Sequence, residues 1–318
     1  MKILDIKEGR TPFRCQPDAV IKRVRGNGAR GVGESRMWEL MTDGQISDAE
    51  RIIIQILFEL EYVTAGMIKQ CHMNTLIPPS YKWIAADEKK NPYRRVLAQL
   101  ERLGVIVVLA LFIDNHQVGV RIYSLSAGAR AWMRSQYRNC VPIFLKGVDN
   151  YVKGDNEILD PTFELTEEVL GKLARNQFHI KAINARYADL SAYSPNRFIF
   201  GILEVAYYRT KQGWYMFLVP ARRGKSGIIH LQGAIESLIS SLREAGQENY
   251  SCILIVAETL EHIKELNPEL KKMPVLRDIP VFFITDIHTK NEESVFDHLI
   301  HYMKTGSSGE YETITIEF

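Results

Sequence analysis

From Ser47 to Met133 the apolar spacing specifies three short helices, two strands around a polar turn, and a closing helix. Ser47-Asp48-Ala49-Glu50 has the form of a capping box, in which a hydroxyl and a carboxylate satisfy the free N–H groups of a helix start. Ile52, Ile53, Leu57, Phe58 and Leu60 then make a broad apolar stripe. Thr64 can cap a second short helix that runs through Ile68 to about Cys71. A polar, proline-containing loop, NTLIPPSYKW, separates it from a third helix beginning near Asn91-Pro92, since proline suits a first turn. Tyr93, Val96, Leu97, Leu100 and Leu103 share one face of that helix, while Arg94, Arg95, Gln99 and Arg102 point mostly away. Gly104 ends it. VIVVLALFI and VGVRIYSL read as strands joined by a turn at Asp114-Asn115-His116, and Ser126 caps the helix AGARAWMRSQ.

This order is that of a winged helix, with the hairpin as wing. Its third helix enters through a basic stretch, Lys89, Lys90, Tyr93, Arg94 and Arg95, with Gln99 one turn on. A short helix with such an entry, backed by leucines, suits the major groove of duplex DNA, and Arg121 on the wing suits a phosphate. A winged helix used only for protein contacts has the same core, and exposed lysines and arginines are common on any helix.

The chain has 318 residues, 46% hydrophobic and 25% charged, with a net charge of +2. That length suits two domains. The near-neutral total excludes a basic coat but not a local basic patch. No apolar run approaches the roughly 20 residues that span a bilayer, and the start, MKILDIKEGR, lacks a secretory core. Cys15, Cys71, Cys140 and Cys252 have no CxxC spacing, so neither a zinc ribbon nor a disulfide framework is signalled. A cytoplasmic protein without a cofactor or bound metal is expected.

Residues 1–45 read as a basic, glycine-bearing arm that could follow a phosphate backbone through Lys22, Arg23 and Arg25. Gly26, Gly28, Gly31 and Gly33 have no Lys-Ser/Thr after them and no convincing strand before, so they do not make a nucleotide loop. The winged helix occupies 46–140. Residues 141–165 read as a connector, with the boundary near Asn156, and 166–318 as a mixed-sheet α/β domain. There the expected elements are a helix from Thr166 to Phe178, the two long strands FIFGILEVAYYR and WYMFLVPAR, and a helix from Ile228 to Glu244. The strand SCILIVA, a helix from Glu258 to Leu266, the strand PVFFITD, the helix SVFDHLIHYMK and the strand YETITIEF complete it.

Two antiparallel strands, a helix and a strand are the core pattern of the restriction-endonuclease-like fold. Such enzymes hold magnesium with an Asp and a Glu-x-Lys. Glu204 lies where the Glu is wanted, but Ala206 stands in place of Lys, and Ser194-Pro195-Asn196 offers no acid. Arg222, Arg223 and Lys225 follow the second strand, as a solvated loop or a second patch contacting DNA backbone. His298 and His301, near Asp286 and His288, lack the pattern of a metal site. Cys71-His72 is not a dyad, because helix neighbours point apart.

SDAERIIIQILFELEYVTAGMIKQC, YRRVLAQLERLGVIVV and IYSLSAGARAWM, the last with Leu125, Ser126 and Gly128, resemble the replication-relaxation family of plasmids and integrative elements. SPNRFIFGILEVAYYRT and PVFFITD resemble its later strands. Coverage runs from about Ser47 to Asp286. The family commonly has Pro-Asp where this chain has Pro195-Asn196, and Glu-x-Asp where it has Glu204-Val205-Ala206. The resemblance implies a winged helix followed by an endonuclease-like domain, and a part in mobile-element replication, relaxation or transfer. The expectation is a non-catalytic, homodimeric protein on double-stranded DNA. A divergent nuclease around Glu204, or an interaction module for replication or conjugation proteins, is the alternative.

Overall fold

In the computed structural model the described residues are 13–14, 19–24, 31–72, 92–113, 116–136, 163–184, 198–199, 202–203, 206–209, 214–224, 227–246, 248–291, 299–302 and 311–314. They fall into two units, one spanning Asp18–Thr166 and the other mainly Glu167–Ser194 with Phe198–Phe318. Both combine helices with a sheet, giving a two-domain α/β architecture.

In the first unit, strand β1 (Val20–Arg23) and helix α1 (Glu34–Thr42) precede α2 (Asp48–Leu60). Strand β2 (Val63–Thr64), α3 (Ala65–His72) and α4 (Pro92–Arg102) follow. Strands β3 (Ile106–Ile113) and β4 (His116–Leu125) lead into α5 (Ala127–Gln136). The capping box forms: Ser47 N–H donates to Glu50 Oε2 at 2.7 Å, and Glu50 N–H donates to Ser47 Oγ at 3.4 Å. Thr64 and Ser126 each accept an N–H three residues on, from Met67 and Ala129. Buried Tyr93, Leu97 and Leu100 seat α4 beside Ile53, Ile54 and Leu57 of the same core.

The sheet runs β1-β3-β4-β2, all antiparallel. The strand β1 and helix α1 correct the expected arm at residues 1–45. Ile21, Met37 and Leu40 are almost fully buried, and Val24 N–H donates to the Val108 carbonyl at 2.8 Å. Charge dominated the reading of that stretch, but its spaced apolar residues find partners far along the chain. Gly128 of α5 also belongs to this packing. A Cβ there would collide with the Val32 carbonyl and the Gly33 backbone, so only glycine fits.

The second unit contains most of α6 (Phe163–Asn184), whose residues 169–180 are buried on every face. Strands β5 (Phe198–Ile199) and β6 (Ile202–Leu203) pair with each other, and β7 (Ala206–Arg209) pairs with β8 (Tyr215–Pro220). The expected long strand FIFGILEVAYYR is therefore broken. Its first half pairs with itself, Phe198 opposite Leu203 and Ile199 opposite Ile202. Helix α7 (Gly227–Glu244), β9 (Ser251–Ala257), α8 (Leu260–Lys271), β10 (Val281–Thr285) and α9 (Asp286–Asn291) continue the chain. Strands β11 (Leu299–Tyr302) and β12 (Tyr311–Ile314) close the sheet.

The larger sheet has the order β12-β11-β10-β9-β8-β7, parallel from β8 to β10 and antiparallel at both edges. Leu231, Ile235, Leu238 and Leu242 of α7 and Ile263, Leu266 and Leu270 of α8 cover it with one apolar layer. Three helices differ from expectation: α6 runs Phe163–Asn184, past the expected Thr166 and Phe178 at both ends. The one after β9 continues to Lys271 through Pro268, because Leu270 is still buried beyond the proline. Residues 299–302 of the expected last helix form β11, since Phe282 and Phe283 on one side and β12 on the other offer ladder partners. A short apolar run does not separate helix from strand by period.

Candidate nucleic-acid interface

Helix α4 buries Tyr93 and exposes Arg94, Arg95 and Arg102, with Gln99 half-buried. Tyr93 is thus a core residue, at 5% exposure, where the basic entry to the helix had included it among contacts. Arg121 is exposed on β4. Tertiary folding brings Arg94 and Arg121 to one cleft of about 670 Å³, which Thr64, Gly66, Glu101 and Tyr123 also line. Among the described residues, Arg94, Arg95 and Arg121 have no ion pair. Burial raises the Tyr123 phenol, with the Arg121 guanidinium pulling against it. Glu101 is the acid of the cleft. Thr64 Oγ1 caps α3, and the first N–H groups of that helix open beside it.

Lys22 and Arg23 are half-buried in β1, and Lys22 Nζ stands 5.6 Å from the Phe112 ring centroid. They belong to a sheet edge, not to a loose arm. Arg25, Lys89, Lys90, Glu204, Lys225 and His298 lie outside the described residues.

The second unit gathers charge at the carboxyl ends of its parallel strands. Arg222, just after β8, donates from Nη1 and Nη2 to Asp286 at 2.6 and 2.9 Å, and from Nη2 to the Val256 carbonyl at 3.2 Å. Its side chain is 3% exposed and that of Asp286 is 0% exposed. This corrects the expected solvated loop: Arg222 is a buried member of an ion pair. Burial pushes the Asp286 carboxyl up and Arg222 pulls it down, and the two short bonds are those of a charged carboxylate. Arg223 N–H donates to Glu258 at 2.7 Å, and its guanidinium pairs with Glu265 at 3.0 Å.

Glu258 N–H donates to His262 Nδ1 at 3.3 Å. Burial first, then Arg222 and Arg223, push the His262 pKa down to about 3. A depressed folded value adds stability above the unfolded pKa of about 6.5 and loses it as pH falls toward 3. From pH 7 to 5 the expected loss is about 2 kcal/mol. Calorimetry across that range should show a smaller fall of melting temperature in His262→Gln than in the parent. Equal falls would mean the imidazole is not held neutral.

Two further buried histidines are hydrogen-bonded within the second unit. His288 Nδ1 bonds Thr285 Oγ1 at 2.7 Å and His179 Nδ1 bonds the Tyr208 hydroxyl at 2.9 Å. His301 is on β11 opposite Phe282, not on a helix three residues from a second histidine. Among the described residues there is no group of three or more potential metal-ligating side chains. Burial raises the thiols of Cys71 and Cys252 to about 12, which leaves neither nucleophilic. Among the described residues no helix is long and apolar enough to cross a membrane.

Sequence reasoning missed Thr64, Glu101 and Tyr123 as cleft partners of Arg94, and missed the cluster around Arg222. Local spacing carries no mark of either. The Arg222–Asp286 pair spans 64 positions, and the available signal was only two arginines and an aspartate directly after apolar strands. No protein-family model, curated protein or solved structure matches this chain.

Proposed function

We propose that the Asp18–Thr166 unit is a winged helix that binds duplex DNA, with α4 in the major groove and the β3–β4 hairpin on the adjacent backbone. One observation carries the reading: Arg94 and Arg121, from two separate elements, line one open cleft, and among the described residues no carboxylate is paired to either. Exposed guanidinium groups on a helix and a neighbouring strand are donors that phosphates and base edges accept from. Arg95, next to Arg94 in α4, is exposed but does not line the cleft.

The wider reading follows the replication-relaxation resemblance: a homodimeric accessory in replication, relaxation or transfer of a mobile element. The second unit is read as a restriction-endonuclease-like domain without catalysis, since Glu204 is followed by Val205-Ala206, with no lysine two residues on. The test is duplex binding followed by fluorescence anisotropy over a salt series, with the parent and Arg94→Ala/Arg121→Ala. Salt-steep binding that the double substitution weakens supports the reading. Absence of salt-sensitive binding in the parent removes it and favours a protein-interaction module.

A further inference from the structure

The parallel strands β8, β9 and β10 begin at one edge of the larger sheet, opposite the edge that holds Arg222. Trp214 directly precedes β8, and Phe282 is the second residue of β10. Both line one open groove of about 870 Å³. Trp214 is 37% exposed and Phe282 is half-buried, so neither is closed into the core. The rest of the lining comes from the end of α8 and the turn that leads into β10. Backbone hydrogen bonds fix that wall: Met273 N–H donates to the Leu270 carbonyl at 3.0 Å, Leu276 N–H to Met273 at 3.2 Å, and Ile279 N–H to Leu276 at 3.3 Å. Buried Leu270, Met273 and Ile279 anchor it in the core of the unit. A groove built this way needs little reordering to receive a guest.

Its charge is uneven. Lys271, Lys272 and Arg277 are exposed and line the groove, and Asp278 is the one carboxylate among the described lining residues. Lys272 pairs at the surface with Glu269 at 2.6 Å. With Glu269 counted, three cations stand against two carboxylates. Among the described residues Arg277 has no ion pair. Small-molecule sites enclose most of their ligand, whereas this groove is open. A basic groove with accessible aromatic side chains is the form that holds a nucleic-acid strand, the rings against bases and the cations beside phosphates. Bases in a duplex are stacked on one another and closed to an indole, so the groove favours unpaired bases. Leu276, Pro280 and Val281 are apolar lining, which suits deoxyribose better than a ribose whose 2′-hydroxyl seeks a hydrogen bond.

We propose that this groove binds single-stranded DNA, with bases on Trp214 and Phe282 and phosphates beside Lys271 and Arg277. It lies wholly in the second unit and does not depend on duplex binding by Arg94 and Arg121.

The experiment is fluorescence anisotropy of a labelled twelve-nucleotide oligothymidylate with the full chain carrying Arg94→Ala/Arg121→Ala, so that the duplex cleft contributes nothing. Saturable, salt-sensitive binding is expected, tighter than that of the same strand paired with oligodeoxyadenylate. Stacking should also quench tryptophan emission. In this background Trp214→Ala should weaken binding about tenfold, while Trp214→Phe should keep most of the affinity and lose the quench. Arg277→Ala should lower the slope of log affinity against log salt by about 0.7. Trp214 and Arg277 are exposed, and a calorimetric scan checks that each variant melts as its parent does. No binding of the single strand, equal or tighter binding of the duplex, or a quench that persists in Trp214→Phe overturns the proposal. So does displacement of the strand by poly-glutamate at equal charge, which would assign an acidic peptide, or a preference for oligouridylate, which would assign RNA. If the parent binds no duplex while the double variant binds the single strand, the winged-helix reading falls and the groove stands.

Discussion

Arg94→Ala/Arg121→Ala is expected to weaken duplex binding about a hundredfold near physiological salt. Each lost charge-assisted contact is worth about 1.5 kcal/mol, roughly a factor of ten. The slope of log affinity against log salt should fall by nearly two units, because each phosphate contact contributes about 0.9. Both side chains are exposed, and among the described residues neither belongs to an ion pair, so the fold should survive. A parallel calorimetric scan checks that the double variant still melts cooperatively. An unchanged salt slope in a folded variant would take this cleft out of DNA contact. Arg95→Ala alone should have a smaller effect, since Arg95 is exposed on α4 but does not line the cleft.

The second large effect is on stability. Asp286→Ala leaves the Arg222 guanidinium buried without its counter-charge. Both groups are withdrawn from water, at 3% and 0% side-chain exposure. Removing one partner of such a pair costs about 3–5 kcal/mol. For a unit of this size that corresponds to a drop of about 10 °C in its melting temperature. Replacing both partners by apolar residues, Arg222→Met/Asp286→Leu, should recover most of the loss, because no charge then stays buried. Differential scanning calorimetry of the three proteins gives the answer. A fall of less than about 1 kcal/mol in Asp286→Ala would show the pair to be solvated.

The two cases differ in how far the sequence could reach. Arg94 follows from a stripe: Tyr93, Leu97 and Leu100 are buried, so the residues between them face out. The same logic failed for Arg222. It follows an apolar strand as a surface-loop residue would, and an aspartate 64 positions later draws it inward. Where the run LIHY offered both a helix and a strand, the neighbouring β10 and β12 selected the strand. The stretch around Ile21 looked like a charged arm because its apolar partners, Leu109 and Leu111 among them, are nearly ninety residues away.

Helix starts at Ser47, Thr64 and Ser126, the amphipathic face of α4 and the buried runs of β8, β9 and β10 were determined by the sequence alone. Each depends on side chains within a few positions of one another, and caps and periodicity act at that range. The place of β1, the pairing of β5 with β6, the joining of Arg94 to Arg121 and the burial of Arg222 were decided only by the tertiary structure. These depend on desolvation and on partners from distant segments, which exist only after the chain has closed upon itself.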